Sequence, residues 1–204
     1  MNVIGVEEIN KRVRRLTTDE DTTYLCDIAW IRENGVESDC AINEEKEKEL
    51  KEFTEAYSLD RALKYIGFKR RTEKEVENHL IKIRVPEDVV GVTLLKMVDF
   101  GMIDDKMYAH DYIDELIGKS QSTYVIKMKS IKKGLDAALV EATMIEMKVR
   151  EKEGYRAFAL LKKRYGTGAV SIDSIKAKQY LYRKGFSADA ISKSLEYHFA
   201  SIGQ

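Results

Sequence analysis

The side chains most able to do chemistry here are cations grouped in acid-free runs. Between Leu116 and Leu135 the chain carries no Asp or Glu, yet Lys119, Lys127, Lys129, Lys132 and Lys133 all fall there. Lys129, Lys132 and Lys133 stand at i, i+3 and i+4, which puts them on one helical side just before Gly134. A second acid-free run, Ser174 to Ala188, holds Lys176, Lys178, Arg183 and Lys184, and Lys69, Arg70 and Arg71 form a third cluster. Cations grouped like this can follow a phosphate backbone, because each phosphate they neutralise releases counterions. Tyr124, Tyr180 and Tyr182 lie close by, where a ring either stacks on an unpaired base or fills a helix packing seam.

Catalysis has weaker support. His79, His110 and His198 stand apart, and His110 with Asp114 at i, i+4 is only part of a metal set, more simply read as a solvent-facing ion pair. Asp104-Asp105 suits a helix start, where acids cap amides and complement the dipole. Tyr165-Gly166-Thr167-Gly168 lacks the lysine and following hydroxyl of a phosphate loop. No nucleophile–base pair can be assembled, so the chain reads as non-enzymatic, with no cofactor and no metal.

The elements that must position the cations recur along the chain. Val76-Glu77-Asn78-His79-Leu80 aligns with Ile126-Lys127-Met128-Lys129-Ser130 and with Ala177-Lys178-Gln179-Tyr180-Leu181, and the turns that follow align at positions 84, 134 and 185, which are 50 and 51 residues apart. A period of that size predicts stacked helical units, none of which can bury its apolar face alone. The expected fold is mainly α: three three-helix repeats over 58–103, 104–151 and 152–204, forming an elongated, curved solenoid. In the first repeat Ser58 is expected to cap a helix ended by Gly67. Thr72 to Glu75 reads as a capping box, and Pro86 opens the third helix. Ser122, Asp136 and Ser187 are placed to cap later helices.

The first 42 residues differ in kind. Val13 to Leu16 and Thr22 to Cys26 flank a polar turn and predict a β-hairpin, which needs a third strand or another support. Asp27 to Asn34 predicts a short helix closed by Gly35, and Asn43 caps a solvated connector helix running to Tyr57.

Net charge is zero over 204 residues, but residues 1–60 hold 16 Asp/Glu against 8 Lys/Arg, leaving 19 against 27 in the remainder. The basic part is thereby suited to a polyanionic partner. No run approaches a membrane span and no leader pattern opens the chain, so a cytoplasmic location is expected. Cys26 and Cys40 are too few for a disulfide framework and read as reduced thiols.

Ala62-Leu63-Lys64-Tyr65-Ile66, Arg70-Arg71-Thr72-Glu73-Lys74-Glu75-Val76, Phe100-Gly101-Met102-Ile103-Asp104-Asp105 with Tyr108-Ala109, and Lys133-Gly134-Leu135, in this order and separation, resemble the RecX family of bacterial recombinase regulators. The resemblance covers most of the chain. It departs at Arg84, where a small residue or glycine is expected, and at Ser130, where leucine is expected. It implies a three-helix repeat array that binds the RecA recombinase, above all its filament on single-stranded DNA, and modulates filament growth, ATP hydrolysis and strand exchange. A monomer with weak, sequence-independent single-strand binding is expected. Two other readings stay open: a stand-alone helix-turn-helix DNA binder and a protein–protein scaffold. The first is disfavoured because Asp136 to Met147 contains no Arg, Asn, Gln or Lys to read base edges.

Overall fold

The computed structural model describes residues 1–37, 39–166 and 174–200. The chain divides into two compact units, Met1–Asp104 and Asp105–Gln204. Among the described residues no helix is long and apolar enough to cross a membrane.

The first unit opens with a three-stranded antiparallel sheet, β1 (Val3–Glu8), β2 (Val13–Thr18) and β3 (Thr23–Asp27), in the order β1-β2-β3. The expected hairpin is β2–β3, and β1 is the third strand it required. Gly5, Glu7 and Glu8 have weak strand preference. Cross-strand charge compensates, with Glu7 opposite Arg15 and Glu8 opposite Arg14, and the latter two are ion-paired at 3.2 Å. Leu16, Tyr24 and Cys26 join Val3, Val36, Ile42 and Leu50 in one apolar cluster, whereas Val13 and Leu25 enter the neighbouring helical core. β2 and β3 therefore bury residues on both faces, whereas Ile4 and Val6 of β1 stay exposed.

Asp27 caps the short helix α1 (Ile28–Asn34), and Gly35 ends it in the left-handed region. The next helix corrects two expectations. α2 (Glu44–Gly67) is one uninterrupted helix of 24 residues capped by Asn43, with no break at Tyr57 and no cap at Ser58. Ser58 Oγ lies 2.7 Å from Thr93 Oγ1 in the core instead. Nor is the first part of α2 a solvated connector, since Leu50 and Thr54 are buried against β3. Thr54 Oγ1 accepts the Leu25 amide at 2.9 Å and donates to Leu50 O at 2.7 Å, so a helix side chain satisfies an edge-strand amide that would otherwise be orphaned.

α3 (Glu73–Lys82) starts with the expected Thr72–Glu75 capping box, and α4 (Glu87–Asp99) follows Pro86. With α2 they close over Ala62, Val76, Leu80, Val90, Leu94 and Met97. The second unit contains α5 (Asp105–Gly118), α6 (Thr123–Lys132), α7 (Ala137–Glu146), α8 (Glu153–Tyr165), α9 (Ser174–Arg183) and α10 (Ala188–Ala200). Helices α5 to α7 enclose Ile113, Leu116, Ile126 and Val140, and α8 to α10 enclose Leu161, Leu181, Phe186 and Ile191. The turns at Arg84, Gly134 and Gly185 share a left-handed conformation, at φ 63°, 89° and 82°. At Arg84 and Gly185 the following amide reaches back to Leu80 O at 3.1 Å and Leu181 O at 3.2 Å, which closes the helix end and aims the chain into the next helix. The Thr167-Gly168 part of the glycine loop lies outside the described residues.

Candidate nucleic-acid interface

The second unit builds its site from a polar lock between two helix triplets. Ser122, buried at the α6 N-terminus, donates to Lys184 O at 2.9 Å and accepts from the Val125 amide at 3.3 Å. Glu153, only 6% exposed, accepts from the Thr123 amide at 2.8 Å and from Ser187 Oγ at 2.7 Å. Arg156, 5% exposed, donates through Nε to Gln121 O at 2.8 Å and through Nη2 to Thr123 Oγ1 at 3.1 Å. Burial pulls the Arg156 guanidinium below its usual range, and nearby Glu153 opposes the shift. This set ties the start of α6 to α8 and to the α9–α10 turn. Gly185 is required there, because a Cβ at that position would stand 3.0 Å from Ser122 Oγ.

Beside the lock opens a cleft of about 900 Å³ lined by Tyr124 and Lys127 from α6, Glu141 and Met144 from α7, Arg150 from the turn between α7 and α8, Tyr182 and Arg183 from the end of α9, and Phe186, Ser187 and Asp189 beyond them. Tyr124 is 63% exposed and Tyr182 77% exposed. The Tyr124 ring abuts the Gly185 turn, its Cδ1 3.3 Å from where a Cβ would sit. Glu141 holds two cations at once, Lys127 Nζ at 2.8 Å and Arg150 Nη2 at 3.0 Å. The hydrogen bond from Lys127 and the neighbouring positive charges keep its carboxyl below the usual range. Asp189 is paired with Lys193 at 2.8 Å, and Glu153 is consumed by the lock. Arg183 is exposed and makes no ion pair among the described residues. The lining thus sets three cations, Lys127, Arg150 and Arg183, against three carboxylates, Glu141, Glu153 and Asp189, and Arg183 is the lining cation without an ion pair among the described residues, beside two open aromatic faces.

Of the residues singled out from sequence, Tyr124, Lys127, Tyr182 and Arg183 converge on this cleft. Lys129, Lys132 and Lys133 do not line it. Lys129 Nζ rests 3.5 Å from Gln121 Oε1, Lys132 is exposed, and Lys133, half-buried, lies 6.0 Å from the Tyr112 ring centre. Lys129 and Lys132 also occupy the last turn of α6, where positive charge complements the helix dipole. Lys176, Lys178 and Lys184 are exposed. Tyr180 is half-buried under Arg164, whose guanidinium carbon is 4.4 Å from its ring centre, with Lys184 Nζ at 5.9 Å. That ring is a packing element.

In the first unit Lys69 and Arg70 are exposed in the turn before α3. Arg71 is half-buried over the Tyr65 ring at 4.5 Å and 3.9 Å from Glu75, and Tyr65 stacks on His79 at 4.0 Å. Burial, with Lys82, Arg71 and Arg61 nearby, lowers the affinity of His79 for a proton. Among the described residues no cluster of His, Cys, Asp and Glu is arranged to hold a metal ion.

Sequence reasoning missed Arg150, Glu141, Glu153 and Arg156. Arg150 sits between helices rather than in an acid-free run, and Glu141 is an isolated acid on α7. One available signal was the polar content of a helix start: Glu153-Gly154 and Arg156 open α8 where an apolar stripe belongs.

No protein-family model matches the chain. Among curated proteins it is 30% identical over 183 residues to the regulatory protein RecX of Streptococcus pneumoniae (strain Hungary19A-6), covering 88% of this chain and 70% of that one. It is 31% identical over 195 residues to that of Lactococcus lactis subsp. cremoris, covering 91% and 71%. The Clostridium perfringens protein of the same name is 29% identical over 197 residues, covering 92% and 91%. The crystal structure of RecX from Lactobacillus salivarius superimposes with a TM-score of 0.64 at 28% identity, over 72% of this chain and 97% of that one. A second RecX crystal structure, 19% identical, shares the fold at a TM-score of 0.64 over 96% and 98%.

Proposed function

The chain belongs to the RecX family of regulatory proteins, and on that premise we propose that it binds the RecA recombinase on single-stranded DNA and restrains filament extension, ATP hydrolysis and strand exchange. It does so without catalysis or cofactor, as a cytoplasmic monomer serving recombination, repair and the SOS response. Residues 58–103, 104–151 and 152–204 act as three copies of one helical unit.

The observation that supports a nucleic-acid-facing role is the cleft of the second unit, where Lys127, Arg150 and Arg183 stand beside the exposed rings of Tyr124 and Tyr182. Lys69, Arg70, Lys129, Lys132, Lys176, Lys178 and Lys184 add exposed positive charge that draws in a polyanion without reading its sequence. Binding is therefore strongly salt-dependent and indifferent to base order. An operator-reading role lacks support, because α7 carries no Arg, Lys, Asn or Gln to read base edges.

The test is RecA ATPase on single-stranded DNA titrated with this chain. Suppression well below one chain per RecA marks action at growing filament ends, and suppression only near equal amounts marks coating along the filament. Unchanged ATPase at saturating chain refutes the proposal.

A further inference from the structure

The cleft contains an acid whose placement is odd for a phosphate-binding surface. Glu141 lies between two of the three cations that line it, 2.8 Å from Lys127 Nζ and 3.0 Å from Arg150 Nη2. A carboxylate held by two cationic donors reproduces the charge and hydrogen-bonding geometry of a phosphodiester oxygen pair. The aromatic half of the cleft has no such occupant, since Tyr124 and Tyr182 are 63% and 77% exposed. We propose that Glu141 is an internal stand-in for phosphate, so that one nucleotide of a single strand enters by displacing its carboxylate from Lys127 and Arg150 and stacking its base on Tyr124 or Tyr182.

This rests on the nucleic-acid-facing reading of the cleft and specifies how that site is regulated. The lock fixes the start of α6, the helix that carries Lys127, so the backbone bearing this cation stays in place when Glu141 swings away. Lys127 and Glu141 are both partly solvated, at 42% and 30% exposure of their side chains, so the pair is weak enough to be exchanged by a better anion. The two open aromatic faces favour a nucleic acid over an acidic protein segment, because a carboxylate-rich peptide leaves them unused. Single strands are favoured over duplex because paired bases present no free face.

The experiment is fluorescence anisotropy of labelled oligo-dT with the chain alone at low salt, without RecA. Glu141→Gln should tighten binding by about threefold or more and steepen its salt dependence, by about 0.7 per phosphate newly neutralised. Glu146→Gln makes the same charge change on the same helix away from the cleft, and it should stay close to the parent. The Tyr124→Ala/Tyr182→Ala double variant should bind several-fold more weakly while keeping the parent salt slope. The inference is overturned if Glu141→Gln is no tighter than Glu146→Gln, if the double tyrosine variant binds like the parent, or if poly-glutamate displaces oligo-dT at equal charge concentration. Failure of the parent to bind oligo-dT also overturns it, and because RecA is absent the ATPase titration still reports independently on the RecA proposal.

Discussion

Gly185→Ala strikes the junction on which the cleft is built. Gly185 sits at φ 82°, where an L residue costs about 1–2 kcal/mol. The added methyl would lie 3.0 Å from Ser122 Oγ, 3.3 Å from Tyr124 Cδ1 and 3.5 Å from Val125 Cγ2. Ser122 cannot simply retreat, because its hydroxyl donates to Lys184 O at 2.9 Å and accepts from the Val125 amide at 3.3 Å. Breaking one of these bonds adds about 1–3 kcal/mol, so the total loss should be about 2–5 kcal/mol. Gly101→Ala is the control, at φ 65° with nothing within 4 Å of the new methyl, and should cost only the backbone share. Urea unfolding followed by circular dichroism measures both. The midpoint should fall further for Gly185→Ala at an unchanged slope. Equal losses would refute the claim that Gly185 is required for close approach to Ser122 and Tyr124 rather than for its turn alone.

Three further outcomes are expected. Ser130 is fully buried with no hydrogen-bond partner for its hydroxyl, so Ser130→Ala should stabilise the chain by about 1 kcal/mol in denaturant unfolding. Arg84 holds φ 63° and pairs through an exposed guanidinium with Glu7. Arg84→Gly should remove the backbone strain and lose only a weak ion pair, giving a net gain of up to about 1 kcal/mol. Burial lifts the Cys26 thiol from 9.0 to about 12, which favours its neutral form in the folded chain. Its contribution is intact below pH 9 and is lost as pH rises toward 12, so Cys26→Ala should flatten the fall of unfolding free energy over that window.

Local signals were legible wherever a residue has one dominant use. Asp27, Asn43, Thr72, Ser122, Asp136 and Ser187 are all hydrogen-bonded as caps, because an orphan helix amide attracts a short polar side chain regardless of tertiary context. Ser58 misled for the same reason in reverse: buried against Thr93 it satisfies a core hydroxyl, and the sequence around it contains nothing that stops a helix. The strand β1 was invisible because it is held by its backbone ladder to β2 and by burial of Val3 against residues distant in sequence, neither of which its own residue types announce. At the site, cations could be found from acid-free runs and tyrosines from their nearness to them, which is how Tyr124, Lys127, Tyr182 and Arg183 were reached, whereas the helical spacing of Lys129, Lys132 and Lys133 led to residues outside the cleft. Arg150, Glu141, Glu153 and Arg156 belong to different helices and acquire meaning only once packing brings them together. The charge on Lys127 could be read, but not that Glu141 already occupies it.

The most direct measurement is RecA ATPase on single-stranded DNA titrated with the parent chain and with two single charge reversals, Arg183→Glu in the cleft and Lys132→Glu on exposed surface away from it. The parent should suppress ATP hydrolysis, and Arg183→Glu should require several-fold more protein than Lys132→Glu for the same suppression, with both variants melting at the parent temperature. Equal potency of the two variants, or no suppression by the parent, would contradict the account.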